Sequence, residues 1–147
     1  MKAKVLALTL LALASVPGIG FAEDTVVNLS FQDTVAAATA SGKLDGSVKF
    51  YLAGNRPAGK VSVVNDNVVT NKKTNAFGKS SQESCSWALQ SALITLQDAA
   101  KQAGANAVVD IQSYYKKNIH SDPKTYECHK GALMSGVALK GKLARIH

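Results

Sequence analysis

The stretch from Ser80 to Lys117 constrains the fold of this chain most strongly. It starts with polar residues suited to a helix N-terminus, continues as a mainly apolar segment and reaches a helix-ending glycine at Gly104. Small and apolar residues recur at three- and four-residue intervals and so share one helix face: Cys85, Leu89, Ala92, Leu96, Ala99 and Ala103. The sequence therefore predicts a long helix that docks on the strand after it.

That strand begins near Ala107, and strict alternation divides its residues between two faces. One face carries Ala107, Val109, Ile111, Ser113 and Tyr115, and the other carries Val108, Asp110, Gln112 and Tyr114. One face is expected to pack on the helix, and the other is expected to be at least partly in contact with water.

The rest of the chain reads as one short helix and several strands. Ser30 has the spacing of an N-cap, with Asp33 three residues later. Further strands are predicted at residues 24–29, 47–52, 61–64, 68–70, 125–129 and 133–146. Asn65-Asp-Asn67 has the composition of a tight hairpin turn, and Lys72 to Ser81 reads as irregular. The predicted fold class is α+β: a single small domain with one long helix packed on a mostly antiparallel sheet, and a short N-terminal helix.

The N-terminus has the pattern of a secretory signal peptide. A positively charged start precedes the apolar run Val5 to Val16, and Gly20 and Ala22 are the small residues that signal peptidase requires. The run of about 12 residues is too short to span a bilayer as a helix. We therefore expect residues 1–22 to be removed and residues 23–147 to form one periplasmic or secreted domain without a transmembrane segment.

Removal of this segment leaves 15 basic and 10 acidic residues, a net charge of +5. From Ile111 to the C-terminus, seven Lys or Arg residues stand against two acidic ones. A basic surface in the envelope suits an anionic component such as lipid, lipopolysaccharide or an acidic protein. The alternative is that these lysines are solvated residues on exposed strand faces. No nucleic-acid partner is expected.

Two cysteines in an exported domain most simply form a disulfide, here between Cys85 and Cys128. A strand that runs back along the helix, followed by a hairpin, would bring Cys128 opposite the start of the helix. The alternative is a soft-metal site for Zn²⁺ or Cu⁺ made by Cys85, Cys128 and His129. Neighbouring residues of a strand point to opposite faces, which disfavours a shared site for Cys128 and His129.

No catalytic pattern stands out. Gly78-Lys-Ser80 resembles the end of a phosphate-binding P-loop, but the first glycine of that motif would fall on Lys73. The three histidines, at positions 120, 129 and 147, lack the paired carboxylate pattern of a nucleophilic site. We therefore predict no enzymatic activity and no cofactor. The less favoured alternative is a hydrolytic enzyme that uses His120 or His129 beside a carboxylate.

Tyr114, Tyr115, Lys116 and Lys117 form an aromatic and basic cluster at the end of the predicted strand. Such a cluster is a candidate binding surface, because aromatic rings stack on sugars or bases and lysines attract anions. The alternative is an edge of the core next to a charged strand end that discourages edge pairing.

Several segments resemble a family of small exported proteobacterial proteins without established function, whose members often bear the label "excinuclease ATPase subunit". The segments are Lys73–Ser80, Cys85-Ser-Trp87, Gly104–Val109, Ser113–Asn118, Tyr126-Glu-Cys128 and Gly136–Gly141. A helix followed by Gly-Ala-Asn-Ala-Val-Val is also distantly similar to the YbjQ-type heavy-metal-binding family and to RcsF-like envelope sensors. These similarities imply a small domain with a helix on a sheet and, in the YbjQ case, a homo-oligomer. Unlike the lipid-anchored RcsF, this chain has Glu23 where a lipidation cysteine would stand.

Together these features predict an exported, disulfide-stapled binding or interaction module of the cell envelope.

Overall fold

The computed structural model describes residues 25–147, so the predicted signal peptide, residues 1–22, lies outside the described residues. Within this range two helices and six strands follow in the order β1 (Thr25–Ser30), α1 (Phe31–Ala40), β2 (Lys49–Leu52), β3 (Val61–Asn75), α2 (Ser81–Gln102), β4 (Ala107–Ser113), β5 (Thr125–Lys130) and β6 (Met134–Ile146). The predicted α+β class is confirmed, with the long helix α2 packed on the sheet and the short helix α1 near the N-terminus. Neither helix is long and apolar enough to cross a membrane.

The strands form one mixed sheet in which β6 is central. The order is β1-β5-β6-β4-β2, and β3 pairs with β6 along its length. The β2–β4 pair is parallel, and the other pairs are antiparallel. Because β6 pairs with three strands, its residues connect the two halves of the sheet.

Helix α2 covers one face of this sheet and forms the core with it. Leu89, Leu93 and Leu96 of α2 are almost fully buried in this core, as is Tyr126 on β5. Burial raises the pKa of Tyr126 to about 12, because the phenolate would lose its hydration. Most of the predicted helix face is buried, but Ala103 is exposed because α2 ends at Gln102. We call the sheet face opposite α2 the outer face.

The predicted hairpin turn at Asn65–Asn67 is wrong, because β3 is one continuous strand of 15 residues. All of it lies along β6, and the register shifts between Val63 and Asn65 and again between Asn65 and Val68. The Asn65 side chain accepts a hydrogen bond from the Asn67 backbone N–H at 2.9 Å. The turn-forming residues thus shape bulges instead of a chain reversal, since β6 offers the pairing that a hairpin would supply. The predicted irregular stretch also starts later, after Asn75.

Strict alternation along β4 is also wrong, because Asp110 is an inserted residue. Its φ of 52° is left-handed, and both neighbouring strands change register around it. Val108 and Ile111, three residues apart, consequently belong to the same core beneath α2. Ala107 and Val109 instead pack with Ala144 in a smaller, separate cluster.

The N-terminus of α2 is capped by Ser80, whose Oγ accepts a hydrogen bond from the Glu83 backbone N–H at 3.1 Å. Replacement of Ser80 by Ala should therefore lower the free energy of unfolding by about 1 kcal/mol, since one helix donor loses its partner. Urea unfolding would measure this. Ser91→Ala is the control, because Ser91 lies exposed within α2 and Ala is the better helix former there. Equal stabilities of the two variants would contradict the capping role.

Candidate functional site

The predicted disulfide between Cys85 and Cys128 is confirmed. Cys85 lies on α2 and Cys128 on β5, with a Cα–Cα distance of 5.8 Å, and both residues are fully buried. The bond ties the helix to the sheet inside the main core. The disulfide therefore stabilises the packing of α2 on the sheet, and neither sulfur is accessible to a ligand in solution.

His129 lies on the outer face, away from the disulfide. Its Nε2 is 2.5 Å from Oε1 of Glu127, and its ring stacks on Tyr115 with a centroid distance of 3.5 Å. The three residues of the alternative metal site are thus divided between two faces of the sheet, and two of them are bonded to each other. Between residues 25 and 147, no group of three or more His, Cys, Asp or Glu side chains is placed to hold a metal ion. The structure does not assemble the soft-metal site.

The predicted binding surface lies directly after β4, where the chain turns sharply. Tyr115–Lys117 form a short 3-10 turn in which Lys116 and Lys117 have left-handed φ values of 50° and 64°. The turn is anchored by the Tyr114 backbone N–H, which donates to the Ala138 carbonyl at 2.8 Å. Left-handed backbone costs a residue with a side chain about 1–2 kcal/mol. Such strain is often concentrated at functional sites, and here it keeps both lysine side chains exposed beside two half-buried tyrosines.

Both tyrosine rings have cationic neighbours. The Lys140 Nζ lies 5.2 Å from the centre of the Tyr114 ring, and the Lys116 Nζ lies 5.5 Å from that of Tyr115. These distances are within the range of cation–π attraction. Gly136 lies beneath Tyr115, where a Cβ would be in ordinary van der Waals contact with the ring, 3.6 Å from Tyr115 Cε2. The ring is therefore packed from below and stacked on His129.

Lys140 also lines a shallow cleft of about 220 Å³ on the outer face, which the sequence did not predict. The cleft is lined by Ala53, Asp66, Asp110, Gln112, Lys140, Gly141 and Lys142. Within it the Lys142 Nζ lies 3.3 Å from Oδ2 of Asp110. Its polar lining and small volume suit a charged group of a larger partner more than an enclosed small molecule. We use the term outer-face site for Tyr114 to Lys117 together with Lys140 and this cleft.

Glu127 lies between two imidazoles at the border of the outer-face site. Besides His129, it has the Nδ1 of His120 at 3.8 Å from Oε2. The neighbouring hydroxyl of Ser113 accepts a hydrogen bond from the Glu127 backbone N–H at 2.9 Å, and Ser113 is buried. This hydroxyl therefore holds the β4–β5 connection together and is not presented to solvent.

The loop after the outer-face site is held by Asp122. Its carboxylate accepts hydrogen bonds from the backbone N–H groups of Lys124 and Thr125, both at 2.8 Å. These bonds favour the charged form and lower the pKa of Asp122. The loop thus has internal support, which keeps the start of β5 in place.

Comparisons of the chain with protein-family models, curated protein sequences and solved structures find no match. The resemblances noted in the sequence therefore stay predictions, and the functional argument depends on the outer-face site.

Proposed function

We propose that the protein is an exported, non-enzymatic binding module of the cell envelope that contacts an anionic component through the outer-face site. Four of its residues, Tyr114 to Lys117, are consecutive, and Lys140 joins them from the centre of the sheet. Aromatic rings next to lysines suit a partner that has both flat apolar surfaces and negative charge. Periplasmic or secreted location is part of the same proposal, and the disulfide is compatible with it because disulfides persist in oxidising compartments.

The observation that carries this proposal is the pair of left-handed lysines. Lys116 and Lys117 adopt a costly backbone conformation at a surface position where no apolar burial of their own repays it. Next to them, the Tyr115 ring is already stacked on His129, so little of its side-chain freedom remains to be lost on binding. The arrangement is preorganised for contact and offers exposed ammonium groups at its edge.

We expect the double variant Tyr115→Ala, Lys117→Ala to capture about tenfold less of its partner from envelope extract than the unchanged protein. Loss of an aromatic anchor and a nearby charge commonly has an effect of this size. Captured material would be eluted with a salt gradient and quantified. An anionic partner should elute from the double variant at a lower salt concentration than from the unchanged protein, because salt screens exposed charges.

The matched control is Lys49→Ala, Tyr51→Ala, which removes the same two residue types from β2 at the edge of the sheet. It should capture as much as the unchanged protein. If the outer-face variant retained full capture, or if both variants lost it equally, the outer-face site would not be the contact surface.

A further inference from the structure

Two loops emerge side by side at one end of the sheet. Register pairing places Thr74, Ser135, Lys130 and Thr25 in one row across β3, β6, β5 and β1. The β3–α2 loop and the β5–β6 turn both lie beyond this row. They are joined by a hydrogen bond from the Ala76 backbone N–H to the Leu133 carbonyl at 2.8 Å.

These loops expose three large apolar side chains together. Phe77 is 71% exposed, Leu133 63% and Met134 46%. Their backbone is well supported, since the Phe77 N–H donates to the Asn75 side chain at 2.9 Å and the Gly131 N–H donates to the Met134 carbonyl at 2.7 Å. We call Phe77, Leu133 and Met134 the apolar tip. It is a fixed feature of the surface, and apolar residues grouped in this way mark contact sites.

Two lysines lie over Trp87 of α2, the helix that follows the loop of Phe77. The Lys79 Nζ donates to the Asn75 carbonyl at 3.1 Å and lies 5.3 Å from the ring centre of Trp87, which is 49% exposed. Lys43 lies over the same ring at 4.6 Å. The acidic residue in the first turn of α2 is Glu83.

Two more lysines lie on the strands that lead to the tip. Lys130 ends β5, and Lys73 precedes the end of β3. Lys73 pairs with Gly136 and Lys130 with Ser135, in successive rows of the sheet, so their side chains point to opposite faces. The cations therefore flank the tip on both sides of the sheet.

We propose that the apolar tip docks the protein on an anionic lipid bilayer. Phe77 and Leu133 enter the boundary between headgroups and acyl chains, while the lysines contact the headgroup phosphates. Exposed apolar and aromatic side chains on neighbouring loops suit a fluid interface, and nearby lysines complement negative lipid. The charge excess around the tip argues for this occupant over a second copy of the same basic chain, which would repel it.

The test uses Phe77→Ser, Leu133→Ser and sedimentation with vesicles of phosphatidylcholine, with and without phosphatidylglycerol. The unchanged protein should sediment with the vesicles that contain phosphatidylglycerol. With vesicles made only of phosphatidylcholine, the protein should remain largely in the supernatant. The affinity of the tip variant for the vesicles that contain phosphatidylglycerol should be lower by about tenfold or more, because two apolar side chains no longer enter the interface. Trp87 is the single tryptophan of the chain, so a blue shift of its emission with anionic vesicles reports the approach of the tip to lipid.

The matched control is Val63→Ser, Val64→Ser. These valines are 51% and 47% exposed, and lie near the opposite end of β3. The control should bind as the unchanged protein does. Equal binding of the tip variant, or equal binding to neutral and anionic vesicles, would overturn the proposal. A change in oligomeric mass in the tip variant with no change in vesicle binding would instead assign the tip to contact between copies.

Because the apolar tip and the outer-face site are different residue sets, the outer-face variant described above should still bind vesicles. Failure of either proposal therefore leaves the other standing.

Discussion

Replacement of both cysteines by alanine, Cys85→Ala and Cys128→Ala, is expected to lower the free energy of unfolding by about 4 kcal/mol. The bond joins residues 43 positions apart, and opening a loop of that size returns a large conformational entropy to the unfolded chain. Total stabilities of small domains are about 5–15 kcal/mol, so this loss is a large share. Guanidinium unfolding followed by circular dichroism would measure the difference in midpoint and extrapolated free energy.

Reduction provides an independent check on this expectation. Wild-type protein unfolded and refolded with dithiothreitol should approach the stability of the alanine variant, whereas the variant itself should be insensitive to the reductant. Both sulfurs are fully buried, so reduction of the folded protein should require prior opening of the core. A variant as stable as the oxidised wild type would show that the bond does not staple the fold.

Gly141→Ala is expected to destabilise the protein by about 1–3 kcal/mol, although it adds a single methyl group. A Cβ at Gly141 would lie 3.2 Å from both Val108 Cγ1 and the Val109 carbonyl oxygen, and 3.3 Å from Ile111 Cγ1. These atoms belong to the bulged strand β4, whose inserted residue Asp110 brings its backbone close to β6. The methyl group can enter only if the bulge shifts, since the contact includes backbone.

Gly136→Ala is the control for this prediction, because it makes the same change five residues earlier on β6. A Cβ there would have its nearest neighbours at 3.5–3.8 Å, which is ordinary van der Waals contact. Its stability should stay within about 1 kcal/mol of the wild type. Equal effects at the two glycines would mean that the bulge at Asp110 is free to adjust.

Local patterns predicted the parts of the fold whose signals are short range. The caps at Ser30 and Ser80 form as expected, since an N-cap depends on residues three positions apart. The inward direction of Cys85 followed from helical periodicity, and two cysteines in a predicted exported chain left one simple pairing. That is why the disulfide was predicted correctly without knowledge of the sheet order.

The errors occurred where a long-range partner overrode a local preference. Asn65-Asp-Asn67 is a good turn by composition, yet pairing with β6 keeps it within β3. Asp110 interrupts the two-face alternation predicted for β4, because the two neighbouring strands accommodate it as a bulge. In both cases the effect of these residues on the chain depended on a strand far away in sequence.

The two proposed contact surfaces differ in the same way. Tyr114 to Lys117 could be selected from the sequence because the four residues are consecutive. The cleft beside them needed Lys140 and Asp110 to be brought together, and the apolar tip needed Phe77 and Leu133 to be neighbours. No periodicity within either loop indicates such contacts.

The sequence alone thus determined the helices, their caps, the cysteine pairing and the chemical character of the chain, because each depends on nearby residues or on composition. The tertiary structure alone decided which side chains contact His129, where β4 bulges and which loops share one end of the sheet. The physical reason is that strand register is set by pairing between distant segments, whose partners a local pattern does not specify.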